Sequence, residues 1–152
     1  MFGSVLVVCV GNICRSPVGE RVLAKHLTER GANLRIGSAG LNALVGESAD
    51  RTASIVAAAR GVSLEGHRAR QFSRDLAGSH DLILVMEPWH RHEILIMAPE
   101  LSGRVMLFDQ WMTREGIPDP YRRSREFHEA VFDRIDASAA RWAEKLSPRL
   151  QG

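Results

Sequence analysis

A cysteine, five intervening residues, an arginine and a serine stand together near the start of the chain, as Cys9-Val10-Gly11-Asn12-Ile13-Cys14-Arg15-Ser16. A loop of this kind between a strand and a helix turns successive backbone N–H groups inward and makes an anion nest. The helix N-terminus adds partial positive charge. Gly11 and Asn12 are the two residues here that most readily take left-handed backbone angles. Arg15 offers a planar fork that grips two oxygens of one phosphate. The same positive field favours the thiolate of Cys9, and the Ser16 hydroxyl is placed to hydrogen-bond it. A thiolate beneath a bound phosphate is an in-line nucleophile for phosphorus.

Hydrolysis of a phosphate ester also needs a proton for the leaving oxygen. A phenolate leaves with a pKa of about 10, so a positioned acid helps. Asp119, in Ile117-Pro118-Asp119-Pro120-Tyr121, is the best candidate, because the flanking prolines restrict the backbone that aims it. Tyr121 is the chain's one tyrosine and is expected to form a wall of an aryl pocket. Taken alone, this segment reads more readily as a plain Pro-Asp-Pro turn. It gains meaning only beside the Cys9 loop.

The elements that must position these groups alternate. Ser4–Val10 is apolar and rich in β-branched residues, the pattern of a strand buried on both faces. A helix is expected to follow, with Ser16 as its N-cap, Pro17 at its first position and Gly31 after its end near Arg30. Leu34–Ala39, Asp81–Met86 and Arg104–Phe108 read as further strands. Helices are expected from an Asp50 cap to about Arg60, over Pro88–Met97, and from near Ser124 onward. In the last of these, Phe127, Val131, Ile135, Trp142 and Leu146 recur at helical spacing. Strands alternating with helices predict an α/β fold: a four-stranded parallel sheet with helices on both faces and the phosphate loop between the first strand and the first helix. Ligands of such sheets bind at the carboxyl ends of the strands. The loops after the first and second strands and the loop Asp109–Tyr121 belong there.

The chain has 152 residues, which suits a single domain over 1–152. Its formal net charge of +2 is too small to argue for nucleic acid. No apolar run is long enough to embed it in a membrane, and residues 1–10 lack the basic start of a signal peptide. With two cysteines, a disulfide scaffold is not expected, and the chain reads as cytoplasmic. No cluster has metal-ligand spacing within reach of the phosphate loop, so neither metal nor other cofactor is expected. His90 and His92, two apart on a predicted helix, read as solvated. Cys14 lies close enough in sequence to pair with Cys9, or serves as a small buried apolar residue; geometry decides between them.

Together these residues resemble the low-molecular-weight protein-tyrosine phosphatases. The resemblance rests on CVGNICRSP (Cys9–Pro17), Ser38-Ala39-Gly40, His67-Arg68-Ala69-Arg70, Asp81–Met86 and Asp119-Pro120-Tyr121. It implies Cys9 as nucleophile, Arg15 as phosphate ligand and transition-state clamp, and Asp119 as general acid and later base around a cysteinyl-phosphate. It places Val10, Gly11, Asn12, Ile13, Cys14 and Ser16 around the phosphate, Leu44 and Tyr121 at the pocket walls, and Asn12, Ser16, Ser38 and His67 as supports of the loop. The runs Gly40–Gly46, Ser63–His67 and Met97–Glu100 followed by Val105–Phe108 are most similar to the bacterial branch associated with capsule and exopolysaccharide synthesis. That implies a phosphotyrosine protein as partner, a membrane tyrosine autokinase in particular. Eukaryotic members tend to have an aromatic residue at the place of Leu44 and a second tyrosine at the place of Arg122. The basic pair Arg122-Arg123 leads to an expected preference for acidic residues flanking the phosphotyrosine.

Three rivals are weighed. An arsenate reductase of this fold shuttles a disulfide through downstream cysteines, and none follows Cys14. Protein-arginine phosphatases tend to carry Thr before the second cysteine, where Ile13 stands here. A silent phosphotyrosine-binding module is expected to lack the nucleophile or the acid, and this chain has both candidates.

Overall fold

The computed structural model describes residues 2–147, so the ends of the domain expected over 1–152 lie outside the described residues. The four strands are β1 (Ser4–Cys9), β2 (Arg35–Gly40), β3 (Leu82–Val85) and β4 (Val105–Leu107). All pair in parallel, in the order β2-β1-β3-β4. The helices are α1 (Arg15–Glu29), α2 (Arg51–Ala59), α3 (Arg74–Gly78), α4 (Pro88–Met97) and α5 (Arg125–Leu146).

β1 is central and its six residues are all buried. Successive side chains of a strand point to opposite faces, and the packing divides accordingly. Val5, Val7 and Cys9 join Leu82 and Leu84 against α1, α2 and α5, through Val22, Leu23, Val56, Val131, Ile135 and Trp142. Leu6 and Val8 join Ile83 and Val85 on the other face, against Ala77 of α3, Ile94 of α4 and Leu101. The expected parallel sheet with helices on both faces is therefore present. α1 presses so closely on the sheet that a Cβ on Gly19 would lie 3.0 Å from Val7 and from Met86.

Several local expectations need correction. α1 starts two residues early, and Ser16 is not its N-cap: Cys14 occupies that place without a side-chain cap. The Ser16 hydroxyl is drawn into the site instead. Gly11 is absent from the positive-φ residues, and Asn12 alone in this loop takes the left-handed conformation, at φ 58°. His90 is fully buried rather than solvated. Its ring accepts from the Glu87 N–H at 3.2 Å and so caps α4. α3 was not anticipated, being too short to display a period; its signal is Ser73, which caps the Leu76 N–H at 3.0 Å. The Asp50 and Ser124 caps are present, on Ala53 and Phe127 respectively.

Candidate active site

Six consecutive carbonyls shape the loop that leaves β1. Cys9, Val10 and Gly11 accept from the N–H groups of Leu41, Asn42 and Leu44 at 2.9–3.1 Å. Ile13 accepts from Asp50 at 2.8 Å and Cys14 from Val18 at 3.3 Å. Asn12 accepts from His67 Nε2 at 2.6 Å. Every carbonyl from 9 to 14 is thus engaged outside the loop. Among the described residues, the N–H groups of Gly11, Asn12, Ile13 and Cys14 donate to no protein acceptor. Backbone donors are rarely left unpaired in a protein interior; here a whole row of them is available at one pocket, which is the physical definition of an anion nest. The loop approaches β2 so closely that a Cβ on Gly40 would lie 2.3 Å from the Val10 carbonyl, which explains a glycine at that place.

Side chains then lock the loop. Asn12 Nδ2 donates to Ser16 Oγ at 2.8 Å and to Ser38 Oγ at 3.0 Å, and Asn12 Oδ1 accepts from the Arg70 N–H at 2.9 Å. Ser16 Oγ lies 2.9 Å from Cys9 Sγ. Since that oxygen already accepts from Asn12, its own proton is free to be donated to the sulfur. Ser38 and His67, expected as supports, are both in contact with Asn12.

Arg15 is 2% exposed, and no buried guanidinium is stable without partners. Its Nη1 donates to Glu87 Oε2 at 2.6 Å and to the Ile117 carbonyl at 2.8 Å. Its Nη2 lies 3.7 Å from Asp119 Oδ2. Glu87, which the sequence reading passed over, therefore anchors Arg15 from the end of β3. His90 backs Glu87, with Nε2 3.4 Å from Glu87 Oε2. Burial, then the Arg15 guanidinium, push the His90 imidazole down to about 3. The Asp119 carboxylate pulls the other way, but Nδ1 is already an acceptor, so a second proton would break the helix cap and the ring stays neutral.

Asp119 is aimed from the far side of the sheet end. The Ile117 N–H donates to the Met86 carbonyl at 2.8 Å, and Asp119 Oδ1 accepts from the Tyr121 N–H at 3.1 Å, as in an Asx turn. Earlier in the same loop, Asp109, 1% exposed, accepts from the Gly116 N–H at 2.9 Å and from Thr113 at 3.0 Å. From α5 the buried His128 faces the Pro120 carbonyl and lies 3.9 Å from Asp50 Oδ2. Burial holds its pKa below the ordinary value, against the pull of the Asp50 and Asp119 carboxylates. Asp109 and His128 were likewise missed: Asp109 braces its own loop through Thr113 and Gly116, which no motif announces, and only the fold brings His128 to it.

Cys9 and Cys14 are free and buried. Burial, foremost, and the nearby Asp50 carboxylate push the Cys14 thiol far above the ordinary thiol range. It stays protonated and packs with Ile13 and Ala69 as a small apolar group.

Cys9, Val10, Gly11, Ile13, Cys14, Arg15, Leu44, Asp119 and Tyr121 meet around one cavity of about 190 Å³, joined by Asn42. Asn12, Ser16, Ser38 and His67 lie behind it. The arrangement offers an anion seat at its floor, a sulfur nucleophile beneath that seat, a carboxyl group above it, and apolar walls for an aryl group. Among the described residues no group of three or more His, Cys, Asp or Glu side chains is placed to hold a metal ion.

Comparison with known proteins agrees with this geometry. Residues 4–151 match the family model described as low molecular weight phosphotyrosine protein phosphatase. The chain is 53% identical over 147 residues to the low molecular weight protein-tyrosine-phosphatase Wzb of Escherichia coli (strain K12), covering 97% of each chain. It superposes with a TM-score of 0.91 on the tyrosine phosphatase Wzb of Escherichia coli K30 in complex with sulphate, at 47% identity, covering 96% of this chain and 99% of that one. The Wzb of Vibrio vulnificus in complex with benzylphosphonate gives a TM-score of 0.90 at 45% identity, covering 95% and 99%. The chain belongs to the low-molecular-weight phosphotyrosine protein phosphatase family and is a protein-tyrosine phosphatase.

Proposed function

We propose that this phosphatase works through a covalent cysteinyl-phosphate, with Cys9, Arg15 and Asp119 as its catalytic residues. The observation that carries the reading is the loop whose carbonyls all turn outward while Cys9 receives the Ser16 hydroxyl. The phosphoryl group of phosphotyrosine sits in the nest of N–H groups from Val10 to Ser16, gripped by Arg15. The Cys9 thiolate attacks phosphorus in line; the S–P bond forms as the bond to the tyrosyl oxygen breaks, and Asp119 gives its proton to that oxygen. In the second half Asp119, now a carboxylate, takes a proton from water. Water's oxygen attacks phosphorus, the S–P bond breaks, and inorganic phosphate leaves. Arg15 and the N–H groups hold the equatorial oxygens throughout, which is where transition-state stabilisation of phosphoryl transfer resides. No metal or other cofactor takes part.

Ile13, Leu44 and Tyr121 receive the aryl ring. The anions bound to the Wzb relatives, sulphate and benzylphosphonate, support an oxyanion seat beside room for an aromatic group. The physiological substrate is a phosphotyrosine protein in the cytoplasm. On the resemblance of the Gly40–Gly46 and Met97–Glu100 runs to the capsule-associated branch, it is a membrane tyrosine autokinase that controls exopolysaccharide or capsule synthesis and export. The enzyme acts as one domain over residues 1–152 and is not itself embedded in the membrane; among the described residues no helix is long and apolar enough to cross one.

The test is steady-state hydrolysis of a phosphotyrosine peptide in the presence of a chelator. Wild type turns over without metal. Cys9→Ser loses at least about 10⁴-fold in kcat, as removal of a covalent nucleophile does. Turnover that survives in Cys9→Ser would reject the cysteinyl-phosphate.

A further inference from the structure

Directly beside Tyr121 the chain makes a sharp turn. The Arg123 N–H donates to the Pro120 carbonyl at 2.9 Å, closing a turn over Pro120–Arg123. The third residue of that turn, Arg122, has φ 61°. A turn of this kind asks for glycine there, and a long side chain with left-handed backbone is uncommon. Such conformations persist where the surroundings hold them and cluster where function uses them.

The turn has a clear consequence. It sets the Arg122 guanidinium 5.2 Å from the centroid of the Tyr121 ring, the ring that lines the pocket. The neighbouring Arg123 packs 4.7 Å over Phe127, in the first turn of α5. Both arginines are exposed. Neither forms an ion pair among the described residues, whereas Arg15, Arg60, Arg74, Arg134 and Arg141 each have a carboxylate partner. The carboxylates closest in sequence are otherwise placed: Asp119 lies within the pocket beside Arg15 and Glu126 is exposed in α5. On the loop that carries Leu44 the side chains are different. Leu44 and Val45 are 40% and 68% exposed, the charges in that loop are the acidic Glu47 and Asp50, and Arg68 reaches the loop only beyond them, at the Gly46 carbonyl. The pocket edge is therefore basic on its Tyr121 side and apolar, at Leu44 and Val45, on the other.

A stacked guanidinium is pre-organised. It loses less freedom on meeting a carboxylate than a free lysine would, and its fork matches both oxygens. We propose that Arg122, with Arg123 beside it, is a specificity-determining residue that selects phosphotyrosine sites carrying a glutamate or aspartate on one flank. This inference rests on the phosphotyrosine-hydrolase reading above and names the class of peptide that the site takes. The selected flank is the one that passes over Tyr121, so acid on the other flank, which meets Leu44 and Val45, brings no gain.

Phosphotyrosine peptides carrying Glu or Gln singly at the two positions before and the two after the phosphotyrosine provide the test, read as kcat/KM. Wild type prefers Glu over Gln by about three- to fivefold on one flank only at low ionic strength, the range of an exposed ion pair, and the preference shrinks in high salt. In the double variant Arg122→Gln, Arg123→Gln the ratio falls to about one. Arg122→Gly gives a second variant whose backbone suits the turn; its ratio also falls. A ratio near one in wild type overturns the inference, as does a ratio that survives in both variants or equal preference at all four positions. Turnover of the Gln peptides without preference for Glu removes this inference alone. No turnover of any peptide removes the phosphotyrosine reading and the inference with it.

Discussion

Cys9, Asn12, Arg15 and Ser16, on the phosphate side of the pocket, are all 3% exposed or less, whereas the Asp119 side chain is 49% exposed and Tyr121 and Leu44 are about 40% exposed. The phosphate side is fixed by bonds from two other stretches of the chain: Ser38 to Asp50, which spans the end of β2 and the loop after it, and His67–Arg70. The acid loop is braced mostly ahead of the acid, by Ile117 to the end of β3 and by Asp109 and Arg134 on Gly116, while at Asp119 itself the Asx turn is the side chain's hydrogen bond. The contrast follows from what each side must do. A phosphoryl group has one shape, and stabilising its transition state rewards donors fixed before the substrate arrives. The leaving group is an exposed tyrosine on a protein surface, so the groups that meet it must remain open to solvent until it docks. The two sides meet at Arg15, whose Nη1 spans Glu87 and the Ile117 carbonyl, so that the phosphate ligand also braces the loop carrying the acid.

The contrast predicts that a change on the acid side alters chemistry and leaves stability alone. Asp119→Asn has the largest expected effect of this kind. Loss of a general acid lowers kcat on a phosphotyrosine peptide by about 10²–10³-fold. An activated ester such as 2,4-dinitrophenyl phosphate, whose leaving group needs no proton, loses far less in its first half-reaction. The free energy of unfolding in urea stays within about 0.5 kcal/mol of wild type, as for an exposed side chain. Equal loss on both esters in single-turnover burst kinetics would mean that Asp119 does not protonate the leaving group.

How much of this was legible in the sequence depends on the range over which each signal acts. β1, α4 and α5 could be read because each repeats its own pattern locally: the β-branched run of Ser4–Val10, Pro88 at a helix start, and the stripe from Phe127 to Leu146. The nucleophile loop could be read because its parts are contiguous. Ser16 was misassigned as an N-cap because serine beside proline fits that role locally, while the bonds to Cys9 and Asn12 that claim its hydroxyl arise only when the loop curls. Gly11 was offered with Asn12 for left-handed backbone. Asn12 holds it, because three side-chain bonds fix it there and Gly11 has no side chain with which to be fixed. Glu87 was invisible for a different reason. It stands 72 residues from Arg15 and carries no motif, and only the β1–β3 pairing brings the two together. His90 read as a solvated helix residue because periodicity does not reveal which face a neighbouring loop covers.

A change on the phosphate side has the opposite signature, with stability and chemistry falling together. Asn12→Ala removes both bonds from Nδ2 and leaves the Arg70 N–H without its acceptor, and it places alanine at a left-handed φ. Lost buried bonds and the backbone penalty together destabilise by about 3 kcal/mol. kcat falls about tenfold, the order expected when a loosened loop no longer holds its groups in the attacking geometry. Asn12→Gly, which accepts the same φ, loses less stability but as much activity. Urea unfolding and phosphotyrosine kinetics on both variants separate the two contributions. An Asn12→Ala protein as stable as wild type would show that the loop does not depend on this residue for its shape, and the contrast between the two sides would lose its basis.

Leu44→Ala probes the open side at its mildest. The side chain is partly exposed in the free enzyme and gains contact only when an aryl ring enters, so its truncation leaves no cavity in the core. Stability in urea should move by no more than about 0.5 kcal/mol. Covering some 40 Å² of apolar surface on binding is worth about 1 kcal/mol, so kcat/KM for a phosphotyrosine peptide should fall about two- to fivefold. The competitive inhibition constant of inorganic phosphate, which reaches only the floor of the pocket, should be unchanged. That pairing makes the small effect informative, because a loosened phosphate loop would weaken phosphate as well. If inorganic phosphate binds Leu44→Ala as poorly as the peptide does, then Leu44, whose N–H already holds the Gly11 carbonyl at 3.1 Å, belongs energetically to the rigid side of the pocket.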